Sequence, residues 1–187
     1  MTKNQNFDKI KELISIGHCD FAENKVQDAN EKWSEVLKLN KNIQLHLIGK
    51  LQSNKVKDAF QIFHYIHTLD NEKLAQIFSK LESSSSKKIK YFIQVNIGNE
   101  PQKNGISLDK LNQFIKYCIN DLKLNVIGLM CIPPLETDPS KYFIKLAGLA
   151  KANNLNELSM GMSNDYEYAI KNGATFVRLG SKIFSED

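Results

Sequence analysis

Two short segments near the end of the chain hold the residue types of an anion site: Ser159-Met160-Gly161-Met162-Ser163 and Arg178-Leu179-Gly180-Ser181. Each joins a glycine, which lets backbone approach a ligand closely, to a hydroxyl and a helix start whose free N–H groups attract anions. Taken singly, each reads as a turn followed by a capping serine. Taken together, in the last two units of the chain, they point to a phosphate site. Arg178 is the one arginine beside 24 lysines. A planar, permanently charged donor at a strand end suits a fixed ligand geometry; a surface salt bridge is the competing reading.

Other chemistry-bearing residues do not assemble into a site. His64 and His67 have i,i+3 spacing at a helix-to-strand junction, with no third ligand to complete a metal centre. His46 lies in a strand pattern and reads as a satisfied core histidine. Cys131, close to Pro133, is either a thiol nucleophile or, the commoner state, a buried cysteine. Glu23 and Asp165 form no evident acid pair. Asp165, in the first turn after Ser163, suits the positive end of a helix dipole.

The elements that must position these residues alternate along the chain. Phe7, Ile10, Leu13 and Ile14 mark a helix over 7–16 that closes at Gly17. Strand-like runs follow at 19–24, 44–49, 65–70, 89–97, 125–132, 157–161 and 175–180. Helical segments lie between them at Val26–Leu39, 51–63, 71–82, 107–119, 140–152 and 164–172, with a short final turn. Ser83–Ser86 reads as a solvated loop, as do 99–105 and 133–140. Strands rich in Ile, Val, Leu and Phe alternating with helices indicate α/β with a buried parallel sheet in one domain, 1–187. Seven strands, with a helix opening the chain, fit an open sheet or a (β/α)8 barrel without its first strand. Anion-binding residues after the last two strands favour the barrel, where phosphate sites often follow strands 7 and 8.

Composition narrows the function classes. The 187 residues carry a net charge of +4, 42% hydrophobic and 25% charged residues, and three cysteines without CxxC spacing. The positive charge is spread along the chain and nearly all lysine, unlike the clustered, arginine-rich face of a nucleic-acid binder. No apolar run approaches the length of a membrane span, and the odd cysteine count argues against a disulfide framework. The expected setting is a reducing cytoplasm.

The motifs FAENKVQDA (21–29), LHLIGKLQSNK (45–55), IHTLD (66–70), QVNIGNEPQKNGI (94–106), GLMCIPP (128–134), LSMGMSNDYEYAI (158–170) and VRLGSKIF (177–184) resemble the pyridoxal phosphate homeostasis proteins, small relatives of the barrel domain of alanine racemase. The resemblance covers nearly the whole chain in order. It implies a single TIM barrel of the alanine racemase N-terminal type that holds pyridoxal 5′-phosphate (PLP) covalently on a lysine, with no established reaction of its own. It further implies that Ser163, Gly180 and Ser181 lie against the phosphate, that Arg178 faces the pyridine nitrogen, and that Asn24 and Met160 line the ring pocket. Lys103 is either a secondary contact or a surface lysine. Counting back without gaps places the family's Schiff-base lysine at Lys3, with Thr2 where a serine is usual.

The family's first strand, and the helix before it, are absent ahead of Lys3. The sequence therefore predicts a solvated lysine in a frayed end, and weak binding or edge-mediated association for the chain as it stands. An upstream reading frame of about 25–35 residues, one βα unit, is the corresponding expectation. Further departures are Ala22 for a usual glycine, Lys25 for tyrosine, Lys50 for histidine or arginine, Asn104 for a small residue and Ser185 for a final glycine. The function implied is a cytoplasmic, monomeric PLP carrier or buffer serving PLP-dependent apoenzymes, with no membrane or nucleic-acid partner. A remnant that no longer holds the cofactor and a PLP-dependent racemase are the alternatives.

Overall fold

A computed structural model describes residues 1–135 and 137–185. Glu136, in the loop expected over 133–140, lies outside the described residues. The elements run in strict alternation: α1 (Phe7–Ser15), β1 (Asp20–Glu23), α2 (Val26–Leu39), β2 (Gln44–Leu47), α3 (Val56–Ile62), β3 (Tyr65–Leu69), α4 (Glu72–Ser83), β4 (Lys90–Gln94), α5 (Leu108–Lys116), β5 (Asn125–Met130), α6 (Ser140–Ala152), β6 (Glu157–Met162), α7 (Tyr166–Lys171), β7 (Phe176–Arg178) and α8 (Ser181–Phe184). Each strand pairs in parallel with the next, in the order β1 to β7. The sheet is therefore a barrel of seven strands with one seam, between β7 and β1.

Local chemistry explains the boundaries. The Asn6 side chain accepts the Asp8 N–H at 3.0 Å and caps α1, and Gly17 ends that helix at φ +87°, a conformation glycine adopts without cost. The expected strand 89–97 is shorter because Asn96 takes over the backbone: its amide accepts the Glu100 N–H at 3.0 Å and donates to the Glu100 carbonyl at 2.8 Å. The expected helix 51–63 begins as a 3-10 turn over Ser53–Lys55, and helix 107–119 ends at Lys116 in a wider π turn over Tyr117–Asp121.

Two apolar layers result. A large cluster that includes Trp33, Leu45, Leu47, Ile66, Phe78, Tyr91, Leu129, Phe143 and Met160 fills the space between strands and helices. A smaller one, Tyr65, Phe92 and Met130 with Phe176 packed against it, fills the barrel interior.

The first residues occupy one end of the seam. The Met1 amine donates to the Leu179 carbonyl beyond β7, and the Thr2 N–H donates to the Ala22 carbonyl of β1 at 2.9 Å. The frayed end expected from the sequence is thus corrected. Thr2 is buried at 1% exposure, because the free hydrogen-bonding edges of β1 and β7 give the segment backbone partners.

Candidate functional site at the C-terminal strand ends

Arg178, the last residue of β7, is buried at 5% exposure. Its Nη1 donates to the Ser159 hydroxyl at 2.8 Å and its Nη2 to the Cys131 carbonyl at 2.9 Å. No carboxylate meets it among the described residues, so the surface salt bridge is ruled out. Those two bonds engage only part of a guanidinium that carries five N–H groups, leaving donors for a ligand. Burial depresses its pKa from the ordinary value, yet an arginine keeps its charge in a protein.

The β6 end is shaped by Asp165. Its carboxylate accepts the Met162 N–H at 2.6 Å, and its own N–H donates to the Met162 carbonyl at 3.0 Å. Asp165 therefore stands just before α7 and braces the loop, rather than lying within the first helical turn as expected. Ser163 sits three residues ahead of Tyr166, so it caps no helix. The backbone N–H groups of Ser163 and Asn164, and of Gly180, Ser181 and Lys182 after β7, have no hydrogen-bond partner among the described residues. Met162 and Arg178 are register partners, which brings these two loops side by side. A row of unpartnered donors at neighbouring strand ends has the chemistry to take an anion.

The two glycines divide. Gly161 has φ +92°, and a Cβ there would come within 2.6 Å of the Ala169 side chain, so it serves the packing of α7 on β6. At Gly180 a Cβ would meet only Met1 at 3.4 Å, with an ordinary φ. The chain itself therefore leaves room for a ligand to approach the backbone at this glycine.

Asn24 follows β1 and touches Gly49, where any side chain would strike the Asn24 carbonyl at 2.0 Å. Its Oδ1 is buried with no hydrogen-bond partner among the described residues, an orphaned acceptor. It lines a cleft of about 310 Å³ with Lys25, Lys50 and Lys55. Met160 is placed elsewhere. One residue out of phase with inward-facing Ser159, it lies in the strand–helix core at 0% exposure, and so does not join Arg178 at the ring pocket.

Lys3 is exposed, directly after buried Thr2 at the β1–β7 end. A cluster missed from the sequence holds it there. Glu23, at 0% exposure, accepts from the Thr2 hydroxyl at 2.7 Å, Lys32 Nζ at 2.7 Å and Trp33 Nε1 at 3.1 Å, and Lys32 also donates to the Thr2 carbonyl at 2.7 Å. Its sequence signal was a carboxylate closing a strand, with no apparent partner until the fold brought three.

The remaining candidates resolve simply. Lys103 Nζ lies 2.7 Å from the Glu100 carboxylate and 3.2 Å from the Pro133 carbonyl, where it ties two loops together. Cys131 is buried and its thiol is pushed up to about 12 by desolvation, so it is no nucleophile near neutrality. His64 Nδ1 accepts the Leu45 N–H at 3.0 Å. His46 and His67 face the barrel interior and bond to each other at 3.0 Å.

Comparison with known proteins places this arrangement in a family. The alanine racemase N-terminal domain family matches residues 8–186. The pyridoxal phosphate homeostasis protein of Aquifex aeolicus is 37% identical, over 95% of this chain and 81% of its own length; that of Escherichia coli K12 is 32% identical, over 98% and 82%. PipY of Synechococcus elongatus, solved with PLP bound, superimposes with a TM-score of 0.88 at 31% identity, covering 98% of this chain and 90% of PipY. An alanine racemase of Clostridium difficile, at 14% identity and a TM-score of 0.70, shares the fold. With seven parallel strands, an alanine racemase-type barrel and relatives matched over four-fifths of their length, the chain belongs to the pyridoxal phosphate homeostasis protein family.

Proposed function

We infer that the protein binds PLP at the C-terminal strand ends and acts in PLP homeostasis as a carrier or buffer without a reaction of its own. The observation that carries the reading is the buried Arg178, with donors to spare, beside loops whose N–H groups are unpartnered. PipY, named as a PLP-bound structure, supports it. When bound, PLP supplies an aldehyde that condenses with amines and a ring that withdraws electrons.

The residues divide the work. The N–H groups of Ser163, Gly180 and Ser181, with the two serine hydroxyls, bind the phosphate. Arg178, a permanently charged donor, would face the pyridine nitrogen and hold it unprotonated, which would blunt the ring as an electron sink. Asn24 closes the pocket from the β1 side, and Lys3 supplies the amine. The family name shared by relatives matched over four-fifths of their length supports a role other than racemisation; the racemase is matched over 48% of its chain. We place the protein in the cytoplasm as a monomer that hands PLP to dependent apoenzymes. No described helix is long and apolar enough to cross a membrane.

Titration of the cofactor-free protein with PLP, followed by borohydride and peptide mass mapping, tests the reading. Saturable binding with the label on Lys3 is expected. An unlabelled protein with no PLP-dependent absorbance change would refute it.

A further inference from the structure

A continuous line of hydrogen bonds crosses the barrel interior. From Arg178 Nη1 it passes to Ser159 Oγ (2.8 Å), from Ser159 Oγ to His67 Nδ1 (2.8 Å), from His67 Nε2 to His46 Nδ1 (3.0 Å), and from His46 Nε2 to Asp20 Oδ1 (3.1 Å). It begins at the C-terminal end of β7, runs through β6, β3 and β2, and emerges at the first residue of β1. There the Asp20 side chain is 58% exposed.

The two ends dictate the direction of every bond. A guanidinium only donates and a carboxylate only accepts. Burial lowers the pKa of His67 well below its ordinary value and lowers that of His46, so both rings are neutral and each has one donor and one acceptor. The bond to His46 holds Asp20 below the usual carboxylate range, so it is ionised. His46 Nε2–H must then donate to Asp20, His67 Nε2–H to His46, and the Ser159 hydroxyl to His67, while Arg178 donates to Ser159. All four dipoles align between one cation and one anion. The rings are clamped as well, His46 stacked on Tyr65 at 4.1 Å and His67 on Phe92 at 4.4 Å between centroids, with Phe176 against both.

Among the described residues Arg178 has no carboxylate of its own, and this line brings one to it from the other end of the barrel. We propose that Asp20, His46, His67 and Ser159 form a positioning relay that orients the Arg178 guanidinium and tunes its donation to the ring nitrogen of PLP. Aligned bonds in a low-dielectric interior polarise one another, so a change at Asp20 reaches Arg178 although the two residues do not touch. The cofactor part of the proposal rests on the reading that Arg178 faces PLP.

The test exploits Arg178 being the one arginine of the chain. Selective ¹⁵N labelling of arginine and histidine reports Arg178 and the four imidazoles in the cofactor-free protein. Both His46 and His67 are expected as neutral Nε2–H tautomers. Asp20→Ala, a change at an exposed side chain that leaves the core intact, is expected to mix those tautomers and shift the Arg178 resonances. Asp20→Glu is expected to restore both. In the PLP-loaded protein Asp20→Ala should shift the visible absorbance and weaken binding roughly threefold or more, the low end of coupling within one hydrogen-bond network. An Nδ1–H tautomer at either ring, or Arg178 resonances unchanged in Asp20→Ala, would overturn the relay. So would a loaded Asp20→Ala protein with the parent's affinity and spectrum. A parent protein that binds no PLP would overturn the functional reading alone, since the tautomers and Arg178 resonances are read without cofactor and still decide the relay.

Discussion

Arg178 and Ser181 are the residues on which the cofactor reading turns, and each fails in its own way when changed. Arg178→Lys keeps the charge but cannot reach the Ser159 hydroxyl and the Cys131 carbonyl together as a planar fork does. It is expected to alter the absorbance and affinity of bound PLP, and equal spectra, affinity and melting temperature would remove Arg178 from the site. Ser181→Glu puts an anion among the unpartnered N–H groups after β7. Binding should weaken at least tenfold, worth about 1.4 kcal/mol. The exposed position of Ser181 lets the variant fold, so calorimetric titration checks the expectation directly.

At the scale of elements, the seam is held by a polar cluster rather than by a strand ladder. Glu23 ends β1 buried, Trp33 comes from α2, and Thr2 comes from the segment that spans the seam. Thr2→Val keeps the shape and removes the hydroxyl that donates to the Glu23 carboxylate. A buried charged acceptor losing one of its donors costs about 1–3 kcal/mol. The urea midpoint should fall accordingly, and PLP binding should weaken with it because the same segment carries Lys3. An unchanged midpoint would mean that Lys32 and Trp33 suffice to hold Glu23.

For the molecule as a whole, three histidines fold in the neutral form. Desolvation depresses His64 to about 4 and lowers His46 and His67 from their ordinary value of 6.5. A base whose folded pKa is depressed binds more protons in the unfolded chain. Unfolding is therefore favoured as pH falls through 6.5 toward about 4, and stability rises with pH across that window. Asp20 acts in the same direction lower down, since its depressed pKa withholds protons from the fold. The urea midpoint is expected to be lower near pH 5 than near pH 7. Equal midpoints would mean that the imidazoles gain partners for their charged forms.

Periodicity and punctuation were enough to count the strands and to pick out the strand ends that carry the glycine–serine pairs, because helix and strand spacing and those pairs are local properties of the chain. The family motifs carried Arg178, Ser163, Gly180 and Ser181 to those ends for the same reason. Tertiary structure decided what depends on partners distant in sequence. Met160 went to the outer core because strand phase put Ser159 inward. Thr2 became buried because β1 and β7 offered unpaired backbone, and the Glu23 cluster and the Asp20–Arg178 line joined residues from different strands and helices. A histidine in a strand looks the same in sequence whether it ends alone in a core or between an aspartate and another histidine. Only the closing of the barrel, which brings the inward positions of β1, β2, β3, β6 and β7 within hydrogen-bond distance, distinguishes the two.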